Sequence, residues 1–152
     1  MTVQPTQLVM LAVLVLATAV LGAAWKSRQG RVRTTPARQD PGVDWAARGV
    51  RLGERATFVQ LSAEVCAPCR ATARVLTGLA EREAGVEHHE LDVDDHFDLV
   101  RELGVLTTPT VLVLDANGVQ AARSSGGMSP AQARRALDTV VPPLVEPVET
   151  RP

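Results

Sequence analysis

Apolar positions along this chain follow two different regimes. Residues 8–25 form an unbroken run without a charge, dominated by Leu, Val and Ala, and the run is just long enough to span a bilayer. Beyond a polar, basic stretch the pattern changes to short runs that alternate between strand and helix periods. Ala56 to Leu61 is apolar and rich in β-type residues, which predicts a buried strand. Val75, Leu76, Leu79 and Ala80 then recur at helical spacing, with Arg70, Arg74, Glu81 and Arg82 left for the wet face. This predicts a helix that opens near Cys66 and Cys69 and stops before Gly85. Val86 to Val93 reads as a second strand. His96 to Leu103 reads as a short helix with Phe97, Val100 and Leu103 on its inner side and Gly104 closing it.

Val111 to Leu114 is too uniformly apolar to be half exposed and predicts a central strand. Asn117-Gly118 is a hairpin signal, so Val119 to Arg123 should return antiparallel. Ser129 as cap, Pro130 at the first helical position and Gln132 completing a capping box announce a last helix, which ends before Pro142-Pro143. Ahead of the first strand, Val43 to Val50 predicts a short helix with Trp45 packed near its start, and Arg51 to Gly53 a small edge strand or turn.

Composition narrows the picture. With 152 residues and a net charge of −1, the chain suits one folded domain and gives no case for nucleic-acid binding. Aromatic residues are 3% of the chain, with no Tyr, which argues against an aromatic-lined sugar or base site. Two cysteines are too few for a disulfide-stapled scaffold.

Charge also orients the apolar run. No polar face interrupts it, as a buried core helix would require. Ala17-Thr18-Ala19 resembles a signal-peptide cleavage site, but Met1 to Gln7 contains no Lys or Arg, and the basic residues Lys26, Arg28, Arg31, Arg33 and Arg38 all follow the run. By the positive-inside rule this predicts an uncleaved single-pass anchor in the cell membrane, with residues 1–7 outside and the folded part cytoplasmic. The same domain outside the cytoplasm is the alternative. No Cys follows the run, which excludes lipoprotein processing. Residues 26–44 read as a basic flexible tether, 45–141 as the folded domain and 142–152 as a disordered tail.

The candidate chemistry is the segment Val65-Cys66-Ala67-Pro68-Cys69-Arg70. Two thiols at this spacing can form a reversible disulfide, supply half of a zinc site, or do neither. At a helix N-terminus, free N–H groups and the helix dipole favour a thiolate at Cys66, while Cys69 lies one turn deeper. That asymmetry suggests that Cys66 attacks a substrate disulfide and that Cys69 resolves the mixed disulfide. Pro68 fits the first turn, which has no use for its missing N–H. His88 and His89 invite a metal reading with the cysteines, but neighbours on a strand point to opposite faces and cannot reach one ion. Asp92, Asp94 and Asp95 lack the spacing of a calcium loop and read as a helix cap and turn.

The order of elements, Cys66-Ala67-Pro68-Cys69 after the first long strand, Thr108-Pro109-Thr110 before a buried one, and the Asn117-Gly118 hairpin together resemble the thioredoxin family over about residues 45 to 141. The resemblance implies an α/β thioredoxin-like fold, a mixed central sheet flanked by helices, here preceded by the transmembrane helix. It implies Cys66 as nucleophile, Cys69 as resolving thiol, and Pro109 as a cis-proline facing them. Thr108 would pair its backbone with an extended substrate segment, Gly126 would let substrate approach, and Val65 would lie on the docking surface. Substrates would be proteins containing disulfides, a reductase would regenerate the dithiol, and no metal or organic cofactor would be needed.

Two positions depart from the family pattern. Val65 stands where a tryptophan usually precedes the first cysteine, and Gln60 where a buried aspartate assists proton transfer to and from the resolving thiol. A slower or more selective reductant follows from these departures, similar to membrane-tethered thioredoxin-like proteins of bacteria. The alternative is an interaction module that uses the cysteines as a sensor or not at all.

Overall fold

The computed structural model describes residues 5–28, 33–34 and 42–140. The tail expected at 142–152, most of the tether expected within 26–44, and residues 1–4 of the expected outer terminus lie outside the described residues.

Helix α1 (Pro5–Arg28) contains the apolar run. Its stretch Thr6–Ala23 is long and apolar enough to cross a membrane, and the side chains there are exposed. At 1.5 Å per residue its 24 residues extend about 36 Å, more than a hydrocarbon core requires. Thr18 turns its hydroxyl back onto the carbonyls of Leu14 and Val15, each at 2.9 Å, so this polar group is satisfied within the helix. Strand β1 (Arg33–Thr34) is two residues within the stretch expected to be a flexible tether, and it pairs with the far edge of the sheet.

The domain is a five-stranded mixed sheet in the order β1-β5-β4-β2-β3, with β2 (Ala56–Ser62), β3 (Val86–Asp92), β4 (Thr110–Asp115) and β5 (Gln120–Ser125). Parallel β2 and β3 are joined by helix α2 (Ala67–Ala80), as a parallel pair requires a crossover. β4 runs antiparallel to β2 and turns through Asn117-Gly118 into β5. All seven residues of β2 are buried, and β4 is buried up to its last position, because helices or loops cover both faces.

Alternation then sorts the side chains into two cores. Ala56, Phe58, Val111, Val113 and Ala122 meet Leu76 and Leu79 of α2 and Ala133, Ala136 and Leu137 of helix α4 (Pro130–Val140). On the other face Val59, Leu61, Leu91, Leu112 and Leu114 meet Trp45, Val50 and Leu99. Trp45 also donates its indole N–H to the Gly118 carbonyl at 3.0 Å, tying the entry segment to the hairpin.

Several local expectations shift. The helix expected at 43–50 is a single 3-10 turn, Ala46–Arg48, and Arg51 to Gly53 pairs with no strand. Helix α3 (Phe97–Glu102) buries Leu99 completely and leaves Phe97 63% exposed. A helix this short shows the core only one fully covered position, and Leu99 joins Leu91 and Leu112 in the second core. Asp92 accepts from the Asp94 N–H at 2.8 Å, making a turn, while α3 begins after His96 with no side-chain cap. The last helix opens on a reciprocal box: the Ser129 N–H donates to Gln132 Oε1 at 2.8 Å, and the Gln132 N–H donates to Ser129 Oγ at 3.4 Å.

Two outcomes follow from this packing. Ser129→Ala removes an acceptor at the head of α4 and should cost about 0.5–2 kcal/mol, read as a lower urea midpoint at unchanged slope. His88 packs under α2 with Nδ1 3.2 Å from Thr77 Oγ1, and burial lowers its pKa, with Glu90 opposing and His89 adding to the shift. The unfolded chain therefore binds a proton near pH 6.5 that the folded one refuses. Stability should be constant above that pH and fall as pH drops below it, until the folded pKa is reached. His88→Gln should flatten the slope in urea titrations between pH 7.5 and 5, and an unchanged slope would assign it to other groups.

Candidate active site

The site forms where three loops meet at one end of the sheet. β2 ends at Ser62, and four residues later Cys66 caps α2 in an extended conformation, φ −140° and ψ 100°. The Cys66 side chain takes the place of a capping oxygen: its Sγ accepts from the Cys69 N–H at 3.2 Å. Pro68 occupies the first helical turn, where it removes an N–H that has no intrahelical partner.

Cys66 and Cys69 are joined as a disulfide with Cα atoms 5.2 Å apart. Their environments differ. Cys66 is 9% exposed and flanked by solvent-facing Val65, Ala67 and Pro68, whereas Cys69 is 1% exposed inside the first turn. An incoming sulfur can therefore reach Cys66 and not Cys69. On reduction, the backbone donor at Cys66 Sγ and the helix N-terminus favour negative charge on that sulfur.

The second loop precedes β4. The Thr108–Pro109 peptide bond is cis, Pro109 is buried, and Leu106 two positions before Thr108 is 95% exposed. Thr110 Oγ1 donates to the Thr107 carbonyl at 2.7 Å and holds this loop closed. The third loop leaves β5. Gly126 has φ 90°, a conformation open to glycine, and its N–H donates to the Pro109 carbonyl at 2.7 Å. A side-chain carbon on Gly127 would lie 3.9 Å from Pro68 Cβ and 3.8 Å from Thr72 Oγ1, so the glycine loop rests against the first turn of α2. Thr72 Oγ1 locks that contact by accepting from the Met128 N–H at 3.0 Å. Of the residues singled out from sequence, Cys66, Pro68, Cys69, Pro109 and Gly126 are thus linked through these contacts. Val65, 93% exposed, adds an apolar surface beside them.

Beneath the disulfide lies a polar group that sequence inspection noticed only as a missing aspartate. Gln60 is fully buried on the α2 side of β2, and its Nε2 contacts the Cys69 carbonyl at 3.0 Å, Glu90 Oε1 at 3.0 Å and Ser62 Oγ at 2.8 Å. Ser62 Oγ in turn donates to Glu90 Oε1 at 2.5 Å. Glu90, Ser62, Thr72 and Leu106 were not foreseen as site residues. The strand register pairing Gln60 with Glu90 was the available signal, because it sets their side chains on one face.

The histidines point apart. His88 meets Thr77, and His89 Nε2 lies 2.9 Å from the Arg51 carbonyl and 3.2 Å from the Arg51 N–H. Among the described residues no group of three or more His, Cys, Asp or Glu side chains is arranged to hold a metal ion.

Comparison with known proteins agrees with this geometry. The family model described as a thioredoxin-like domain matches residues 44–141. No curated protein sequence matches. Among solved structures, thioredoxin of Fasciola hepatica is similar at 26% identity, with a TM-score of 0.51 over 58% of this chain and 83% of that one. Chloroplastic thioredoxin z is similar at 27% identity, with a TM-score of 0.52 over 57% of this chain and 79% of that one. The reduced thioredoxin pre-protein of Schistosoma mansoni, at 21% identity and a TM-score of 0.51, covers 59% of this chain and 82% of its own and shares the fold. Such proteins are thiol oxidoreductases that act on disulfides, and a bonded cysteine pair at the head of α2 supports the same general chemistry here. By its family match, its sheet topology and the loops that converge on Cys66 and Cys69, this chain belongs to the thioredoxin-like domain family.

Proposed function

We propose that this protein is a membrane-tethered thiol–disulfide oxidoreductase that reduces protein disulfides with the Cys66–Cys69 pair. The observation that carries the reading is the asymmetry of the pair: one sulfur is reachable and capped by a backbone donor, the other buried one turn deeper.

The chemistry closes without a cofactor. Cys66 as thiolate attacks one sulfur of a substrate disulfide; that S–S bond breaks, and the departing thiolate takes a proton. Cys69 then gives up its proton and attacks Cys66 Sγ. The mixed disulfide breaks, the second substrate thiol leaves, and the Cys66–Cys69 bond carries the two electrons' worth of oxidation. A partner reductase returns two electrons and two protons to restore the dithiol. An extended substrate segment pairs with the backbone at Thr108, next to Pro109, and crosses Gly126, with Val65 and Ala67-Pro68 as its apolar neighbours.

The apolar length of α1 supports the tether, and the basic residues Lys26, Arg28, Arg31, Arg33 and Arg38 support a cytoplasmic domain. One observation favours a second reading, a tethered redox sensor: Gln60 offers no titratable proton where the family places an acid. Slow exchange with a defined midpoint would fit that reading better than rapid turnover.

Cys66→Ser should reduce insulin-disulfide reduction to the uncatalysed rate, while Cys69→Ser should accumulate mixed disulfides that appear as gel-shifted adducts. Full turnover by either variant contradicts the assigned roles. Protease added to intact cells should leave the domain whole and should digest it once the membrane is opened; digestion in intact cells reverses the topology.

A further inference from the structure

We infer that Gln60 is a redox-state-dependent partner of the resolving cysteine: its side-chain oxygen accepts a hydrogen bond from Cys69 S–H in the dithiol, a bond that the disulfide lacks. The inference rests on the redox reading proposed above.

The orientation of the amide follows from its partners. The Cys69 carbonyl and the Glu90 carboxylate accept hydrogen bonds and do not donate, so the atom facing both at 3.0 Å must be the nitrogen. Ser62 Oγ lies 2.8 Å from Nε2 and donates to the same Glu90 oxygen at 2.5 Å, so the two amide hydrogens are shared among three acceptors. Rotating the amide would set its oxygen against two other acceptors. The oxygen is therefore held on the other side, and among the described residues Gln60 Oε1 is a buried acceptor without a partner. A buried polar atom in that condition costs free energy.

The missing donor is one that reduction creates. When two glutathione molecules reduce the pair, the Cys66–Cys69 bond breaks and two electrons pass to its sulfurs. The glutathiones leave as their own disulfide, and Cys69 retains one of the transferred protons. Cys69 is 1% exposed, so its new S–H cannot turn to bulk water. The amide already touches the carbonyl of that same residue, and both amide atoms share one carbon. The orphan acceptor thus sits on the amide that touches the very residue whose side chain gains the donor. Glu90 and Ser62 act through Gln60 as positioning residues.

A bond present only in the dithiol stabilises the dithiol, so removing it favours the disulfide. The test equilibrates the full chain in detergent micelles against glutathione buffers and counts thiols by alkylation. Gln60→Met, which keeps length and apolar bulk, should shift the equilibrium toward disulfide roughly three- to tenfold, the range of one net hydrogen bond. A second measurement reads the bond itself. Cys66→Ser leaves Cys69 as the only thiol, and its infrared S–H band should lie at the lowered frequency of a hydrogen-bonded thiol. Adding Gln60→Met should move that band up, and adding Glu90→Ala, which frees the amide to rotate, should move it in the same direction.

An equilibrium unchanged within twofold, together with a band indifferent to residue 60, overturns the inference and leaves Cys66 as the partner of the Cys69 proton. A band at the free-thiol frequency in Cys66→Ser alone overturns it too, even if Gln60→Met does not fold. A wild-type pair that never equilibrates with glutathione instead defeats the redox reading itself.

Discussion

The structure depends on a strand that has no exposed face. β2 lies between β3 and β4, covered on one side by α2 and α4 and on the other by the core around Trp45, Leu99 and Leu114. A strand buried on both faces must satisfy its backbone in the sheet, and it can leave only through its ends. At its C-terminal end the chain turns outward through exposed Glu64 and Val65, and Cys66 follows at the head of α2. Placement of the Cys66–Cys69 pair is thus a consequence of a strand buried along its whole length.

The same constraint explains how the other loops reach the site. β4 is antiparallel to β2, so its beginning, with Pro109, lies at the end where β2 finishes. β5 is antiparallel to β4, so its end, with Gly126, arrives there as well. The Gly126 N–H on the Pro109 carbonyl and the Met128 N–H on Thr72 Oγ1 then fasten the three loops together. Residues far apart in sequence meet because successive strands reverse direction beside a single buried neighbour.

Much of this was legible in the residues. Apolar and β-type runs located β2, β3 and β4, the Asn117-Gly118 turn located β5, the helical spacing of Leu76 and Leu79 gave α2, and Ser129, Pro130 and Gln132 marked α4 with its cap. What escaped was set by tertiary contact. In α3 the sequence sets Phe97, Val100 and Leu103 inward, whereas the second core buries Leu99, with Leu103 packed against it and Phe97 left exposed. Thr72 looks like an ordinary helical threonine until the Met128 backbone supplies its partner. Arg33 and Thr34 carry no strand signal, and pairing with the open side of β5 is a property of that edge rather than of those two residues.

Gln60 shows how the same reading can be right about a residue and silent about its role. Sequence identifies it as an amide where the family places an acid, which suggests a loss. Structure shows an amide whose two ends are unequal: a nitrogen engaged with Cys69, Ser62 and Glu90, and an oxygen with no partner among the described residues. A glutamate, the carboxylate of the same length, would set its oxygens against the Cys69 carbonyl and the Glu90 carboxylate, two acceptors that it could not satisfy. The carboxylate on β3 and the amide on β2 therefore form a matched pair. Glu90 holds a carboxylate one strand outward, at an exposed position, and the buried place beside Cys69 holds a neutral group that can both donate and accept.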